Sequence, residues 1–399
     1  MWIRRGGYEP AGDLAGKLAR YIRHHGRYYD SGGEFLPDYP GPVPDSFHRE
    51  GVYPFDPGPP PEKYRKKAHF QHHMVPLLGL LDYALAAADE NMAAFVRQSF
   101  EWAKGKGEGT VGYFPEHIDK TEYEFSEICE VAGMIGLALK LSHAGLGDYW
   151  DDADRWIRNQ FAEGQLRQVN WVYRMSAEEQ DGSDRQRPNS RSEAAVTTID
   201  RVPERNVGAF AGWPSANDFF TGVGAGIRHC CTGNGARALY YIWQHMIDYH
   251  NDELRINLLM NRPSKWADIH SLIPYAGQVN VHIKQPCRLS MRIPEWVRPD
   301  QAVWQVDGQD HRVEWSGRYG SVGSVSPGQV VEMRFPISEY EKMVDIESRR
   351  YMLTIRGNEV IHINPPGRHC PLYQRDAYRD NAVRWKKVTR FVSGEDIHW

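Results

Sequence analysis

The sequence predicts a multi-domain α plus β protein: a helical domain over residues 1–250, an antiparallel β-sandwich over 251–365 and a C-terminal extension over 366–399. Three observations carry this. The chain has 399 residues, and at roughly 150 residues per domain that means two or three domains. Apolar residues make up 41%, enough for a large core and too many for global disorder. Near Asn251 the hydrophobic pattern changes from a helical period to a period of two.

Each element follows from its own pattern. Residues 12–26 place Leu14, Leu18 and Ile22 on one helix face. Residues 37–62 are rich in Pro and Gly and read as a loop. Helices follow at 67–88 (Val75, Leu78, Leu81, Leu85), 91–104 (Phe95, Phe100 inward), 127–143 (Val131, Ile135, Leu137, Leu141) and 149–161 (Trp156, Ile157). Residues 176–206 are polar and 207–228 rich in Gly and aromatics, so both read as loops, and long loops in a compact enzyme often carry function. A last helix spans 235–249, with Leu239, Trp243 and Met246 inward. Short alternating runs then mark strands at 254–259, 267–272, 279–283, 289–293, 302–306, 330–335, 351–355 and 360–363. Turns such as Asp307-Gly308 and Pro327-Gly328 separate several of them. Successive strands without helices between them make a sandwich.

Composition narrows the function. Lys+Arg number 48 against 52 Asp+Glu, a formal charge of −4, which gives no electrostatic footprint for nucleic acid. The longest apolar stretch, 74–88, contains Asp82 and falls short of the roughly 20 residues a membrane span needs. The N-terminal MWIRRGG has no apolar run behind it, so no secretory signal is expected and a cytoplasmic location is. Five Cys (129, 230, 231, 287 and 370) make no disulfide framework. In a reducing compartment, paired thiols point to metal or catalysis.

Glu127 and Cys129 open one helix, and the adjacent Cys230 and Cys231 sit just before another. One carboxylate and three thiols suit a tetrahedral zinc ion, provided the two segments meet. The positive end of a helix would further favour thiolates at Cys230 and Cys231. Cys287 and Cys370 read as small buried hydrophobes. The run from Glu116 to Glu130 holds six acids, ordinarily a solvated face. Glu116 stands apart, because it follows the aromatic turn Gly112-Tyr113-Phe114-Pro115. Such a turn can desolvate a carboxyl, raise its pKa and make it a proton donor. His69, His72 and His73 lack the Glu of a metalloprotease helix and read as polar lining or core. Trp213, Phe219 and Phe220 read either as an apolar platform for a sugar or as loop anchors.

In order along the chain, AHFQHHMVPLLGLLDYA (68–84), GYFPE (112–116), EIC (127–129), GDYWDDADRWIRNQF (147–161), HCCTGNGAR (229–237), MRIPEWV (291–297) and RGNEV (356–360) resemble glycoside hydrolase family 127, the β-L-arabinofuranosidase-like enzymes. The likeness covers roughly residues 65 to 365 and is that of a divergent, N-terminally shortened member, with Thr232-Gly233 after the Cys pair where characterised members tend to have Pro-rich residues. It implies an (α/α)6-type barrel, here incomplete, followed by the sandwich. It implies a retaining glycosidase with zinc held by Glu127, Cys129, Cys230 and Cys231, Cys230 as nucleophile and Glu116 as acid/base. It puts His69 and Asp154 at positions that contact the sugar. The expected partner is a carbohydrate substrate; nucleic acid and membrane are not expected. Too few helices for a full barrel leaves a homo-oligomer open, in which another subunit completes it. The alternative function is a non-catalytic carbohydrate-binding or structural protein stapled by zinc, since four protein ligands form a closed, normally structural set. A different metal-dependent reaction on a sugar, by an isomerase or lyase, is a third.

Overall fold

The computed structural model describes residues 8–37, 68–118, 125–178, 200–222 and 226–375. Most of the expected loops at 37–62 and 176–206, and the extension beyond 375, lie outside the described residues.

Eight helices occur among the described residues: α1 (Glu9–His24), α2 (Phe70–Ala87), α3 (Glu90–Lys104), α4 (Ile128–His143), α5 (Trp150–Trp156, continued by a wide turn Ile157–Phe161), α6 (Asn170–Glu178), α7 (Val202–Arg205) and α8 (His229–His245). They fall short of the six helix pairs of a closed barrel. α4 is the centre. Its sequence, ICEVAGMIGLALKLSH, is apolar all round, and all but two of its residues are buried, as a helix covered on every side requires. Gly133 and Gly136 let its neighbours approach. A Cβ on Gly133 would lie 3.1 Å from Met74 of α2, and one on Gly136 would lie 3.1 Å from the Tyr241 ring of α8. α3 begins with Asp89 accepting from the Met92 N–H, an ordinary N-cap.

Two helix faces differ from the sequence expectation. Leu14 and Leu18 are exposed, and α1 packs through Gly16 and Ala19, with Gly16 against the Tyr83 ring. On α8, Leu239 and Trp243 point outward while Cys231, Gly235, Ala238, Ile242 and His245 face inward. Val75 of α2 is exposed as well. Close helix packing chose the small residues and left larger ones outside. Trp243 is partly covered by the Arg262 guanidinium, 4.3 Å from its ring centre.

The chain passes from α8 directly into the sandwich. One sheet has the order β10-β9-β13-β7-β6-β5, the other β11-β12-β8-β4-β3. These comprise β3 (Ile247–His250), β4 (Glu253–Ile256), β5 (Arg262–Pro263), β6 (Ala267–Ser271), β7 (Gln278–Ile283), β8 (Cys287–Arg292), β9 (Val303–Val306), β10 (Gln309–Asp310), β11 (Glu314–Ser316), β12 (Tyr319–Val325) and β13 (Val330–Arg334). The two-residue strands β1 (Ala68–His69) and β2 (His117–Ile118) pair antiparallel within the helical domain. Sandwich neighbours are antiparallel except β4 and β8, which run parallel. Alternate residues such as Val279, Val281, Leu289, Met291, Val331 and Met333 fill one core spanning 247–335.

This core ends before residue 365, where the sequence pattern placed the sandwich boundary. The last strands, β14 (Glu339–Ile346), β15 (Arg349–Arg356) and β16 (Glu359–Asn364), form a separate sheet. Val344, Ile346, Leu353, Val360 and Ile363 of that sheet join the apolar core of the helices. Alternation identifies strands but not the layer they cover. Residues up to 375 return to the helical domain too. Asp218 accepts the backbone N–H groups of Arg368, His369 and Cys370, and buried Arg375 pairs with Glu163 at 3.0 Å.

α5 ties the layers together. Arg292 of β8 pairs with Asp151 and, at 2.8 Å, with Asp148; Glu295 pairs with Arg155. Asn159 donates to the carbonyls of Thr110 and Asn358 and accepts from Val360 N–H.

Two predictions test this packing. Gly136→Val overpacks the α4–α8 contact and destabilises by about 1–3 kcal/mol, read as a lower urea midpoint at unchanged slope. His245 is held neutral, its pKa pushed down to about 4 chiefly by burial. A depressed folded pKa means stability is present above the unfolded value near 6.5 and lost as pH falls toward 4. His245→Gln therefore flattens the stability–pH curve between about pH 6.5 and 4, by about 2–3 kcal/mol across the window; an unchanged acid limb would contradict it.

Candidate active site

The α4–α8 contact brings the expected thiols together. Glu127 is the N-cap of α4. Glu130 reaches back to accept its backbone N–H at 2.9 Å, one half of a capping box that fixes both acids at the helix start. Cys129 lies in the first turn. Helix α8 begins at His229, earlier than the expected 235, so Cys230 and Cys231 lie in its first turn rather than before it. Sγ of Cys129 is 3.4 Å from Sγ of Cys231, which is 3.8 Å from Sγ of Cys230. Asn234, one turn further along α8, directs its amide at Cys129 Sγ, 3.3 Å away.

Ligand atoms of Glu127, Cys129, Cys230 and Cys231 all lie within 4.8 Å of one another. A tetrahedral zinc ion with sulfur bonds of about 2.3 Å sets its ligands about 3.8 Å apart. The donor set and spacing therefore fit a thiolate-preferring cation. The protonation balance agrees. Burial, with the charge of Glu116 adding, pushes Glu127 up to about 7. The hydrogen bond to Cys231, then burial, pushes the Cys129 thiol up, and burial does the same to Cys230. Hydrogen bonding from Cys129 pulls the Cys231 thiol down, but burial and the nearby acids leave it raised. Protein alone thus disfavours the charged forms that a cation would favour. Three of the four groups are buried; Cys230 is the half-exposed one.

Around this group the β1–β2 pair places His69 and His117 beside Glu116. Glu116 is buried, 3.3 Å from His117 Nδ1 and 3.7 Å from His69 Nε2. Its Oε1 accepts the Trp213 indole N–H at 3.0 Å. Arg228 lies over the Trp213 ring at 3.4 Å and 3.9 Å from Glu127 Oε1. With Phe125 tilted against the same ring at 5.2 Å, Trp213 holds Glu116 in place rather than offering an open platform. Phe219 is buried against Trp171, and Phe220 packs on Trp171 and His369, so both anchor the loop. The three histidines divide: His69 stacks on His72 at 4.0 Å at the site, while His73 stacks on Phe35 in the core. Asp154 makes its contacts elsewhere, pairing with Arg158 and accepting from Asn358 where α5 meets the third sheet. Cys287 is buried in the sandwich core and Cys370 is packed on the helices.

Sequence reading missed Glu130, Arg228, His117 and Asn234. Glu130 carried a usable signal: two acids three apart directly before an apolar run make a capping box rather than a solvated face. Arg228 carried none, since its partners come from distant segments.

The architecture is that of a helical domain joined to a β-sandwich, with a buried thiol–carboxylate centre in the helical part. This fold is similar to that of the glycoside hydrolase family 127 enzymes. One solved neighbour is a GH127 β-arabinofuranosidase, 14% identical, with a TM-score of 0.59 over 89% of this chain and 53% of that one. Another, described as a glycoside hydrolase, is 14% identical at a TM-score of 0.51, over 73% and 51%. A GH127 β-L-arabinofuranosidase from Geobacillus stearothermophilus T6 is 15% identical at 0.47, over 79% and 51%. The chain spans about half the length of these structures. No family model and no curated protein matches the sequence. Among the described residues, no helix is long and apolar enough to cross a membrane.

Adding zinc to chelator-treated protein stabilises it by about 3–4 kcal/mol at a 100- to 1,000-fold excess over Kd, read as a higher Tm. Cys129→Ser and Cys231→Ser each remove most of that increment. A Tm indifferent to zinc in the parent would rule the centre out as a cation site.

Proposed function

We propose that the protein is a retaining glycoside hydrolase acting on a β-L-arabinofuranoside or a related plant-polysaccharide sugar. One observation carries this reading: a single accessible thiol, Cys230, sits among three buried ligand-type groups, with the buried carboxylate of Glu116 near Glu127. The shared fold with family 127 enzymes supports the substrate class.

Glu127, Cys129, Cys230 and Cys231 would hold a zinc ion. When bound, it keeps its thiol ligands deprotonated near neutral pH. The Cys230 sulfur attacks the anomeric carbon as the bond to the leaving oxygen breaks, and Glu116 gives that oxygen its proton. The Glu116 carboxylate then takes a proton from water, whose oxygen displaces the sulfur. Two inversions at one carbon retain configuration. Trp213 orients Glu116 through its N–H, and Arg228 locks the indole by lying on its face. His69, 3.7 Å from Glu116, would meet a sugar hydroxyl. Of the four residues that would hold the ion, Cys230 is the half-exposed one and so the one a sugar could reach.

The test is turnover of a panel of nitrophenyl glycosides with zinc content measured in parallel. Wild type cleaves at least one sugar. Cys230→Ser lowers turnover about a thousandfold or more while unfolding stays cooperative. Glu116→Gln hurts substrates with poor leaving groups most. If wild type cleaves none, and the Cys230→Ser and Cys129→Ser variants both unfold, the centre is a structural staple and the hydrolase reading fails.

A further inference from the structure

A second cavity lies away from the thiol centre, where α5, the loop after β8 and the third sheet meet. It has a volume of about 390 Å³, and none of its lining residues belongs to the thiol–carboxylate group. That volume is in the range of small-ligand sites. We propose that this cleft binds a neutral glycan chain, separately from the site of cleavage; the choice of glycan rests on the hydrolase reading.

The shape comes from the sheet. On β14, residues 340, 342, 344 and 346 share one face. Val344 and Ile346 are buried under the helices, while Tyr340 and Lys342 carry the same face out into the cleft and are exposed. Trp296 forms another wall. Its ring is fixed by Gly357, where a Cβ would lie 2.9 Å from it, and by Phe335 edge-on at 5.5 Å. One rigid and one exposed aromatic side chain thus border a single cavity, and sugar C–H faces pack on such rings.

Charge selects the ligand. Glu108 and Glu295 line the cleft with Arg155 and Lys342. Arg155 pairs with Glu295, and Lys342 donates to Thr110 Oγ1 at 2.7 Å. Two cations balanced by two carboxylates give no excess field for a phosphate or a polyanion. Fixed donors and acceptors side by side suit hydroxyl groups, which need both.

The experiment uses the full chain as Cys230→Ser, which leaves polymers uncut, in native gels containing soluble arabinan or arabinoxylan. Retardation is expected, and Trp296→Ala and Tyr340→Ala each weaken it about tenfold or more. Tyr340 is exposed, so its variant keeps the test valid should Trp296→Ala fail to fold. In the otherwise native enzyme, Tyr340→Ala leaves nitrophenyl glycoside turnover unchanged. Retardation without turnover by wild type would sustain the cleft and sink the hydrolase reading. Turnover without retardation would sink the cleft alone. Parent-like binding by Tyr340→Ala, or binding of polygalacturonate but of neither neutral polymer, also overturns the proposal.

Discussion

A helix with no polar face has to be enclosed, and enclosing α4 is the constraint from which the centre follows. α2 and α8 close on it at Gly133 and Gly136, where neither neighbour could keep its distance if a side chain intervened. Glu127, Cys129 and Glu130 stand at the N-terminal end of that helix, and the paired thiols stand at the N-terminal end of α8. The packing that hides an apolar cylinder therefore also fixes the separation of sulfurs 102 positions apart in sequence. Sites built on helices gripped this tightly hold their geometry better than sites built on loops.

That precision has an electrostatic cost. Glu116, Glu127 and Glu130 and two of the three thiols are buried in one region. Burial raises the pKa of Glu130 as well as that of Glu127. The Arg228 guanidinium answers part of this, but at 3.9 Å from one oxygen of Glu127 it is a loose partner. A fold that keeps so many anionic candidates buried together gains nothing in stability from them. A soft cation would turn part of this liability into a binding free energy, because Glu127 and the thiols, which resist ionising in isolation, would become its ligands.

The sequence disclosed the part of this design that is local. Period and length revealed α2, α3 and α4, and the order of short strands revealed the sandwich. The thiol grouping was legible because few residue types serve a soft metal. What escaped depended on contacts between distant segments. Leu14, Leu18, Leu239 and Trp243 ranked as core by hydrophobicity, yet α1 buries Gly16 and Ala19, and α8 buries Ala238 and, against the Phe210 ring, Gly235, because close approach favours small residues. Trp213 looked like a stacking surface, and only the placement of Arg228 and Glu116 shows that its indole nitrogen is the useful end. The strands at 351–355 and 360–363 announced themselves; β14 did not, and nothing in the pattern said that this sheet covers helices instead of the sandwich.

The junction between the layers shows how such a division is held. Arg292 and Asp151 form a buried pair, yet burial outweighs the attraction of Arg292 and leaves the Asp151 carboxyl pushed up to about 6. A pair whose desolvation exceeds its Coulombic gain does little to drive docking. Its value is directional. Asp151 also accepts the backbone N–H of Glu295 at 2.8 Å, and Arg292 grips Asp148 through a second nitrogen. Apolar contacts alone would tolerate sliding between the sandwich and α5. These bonds tolerate one register, and by fixing the loop that carries Glu295 to α5 they set where Trp296 packs on Gly357 of the third sheet.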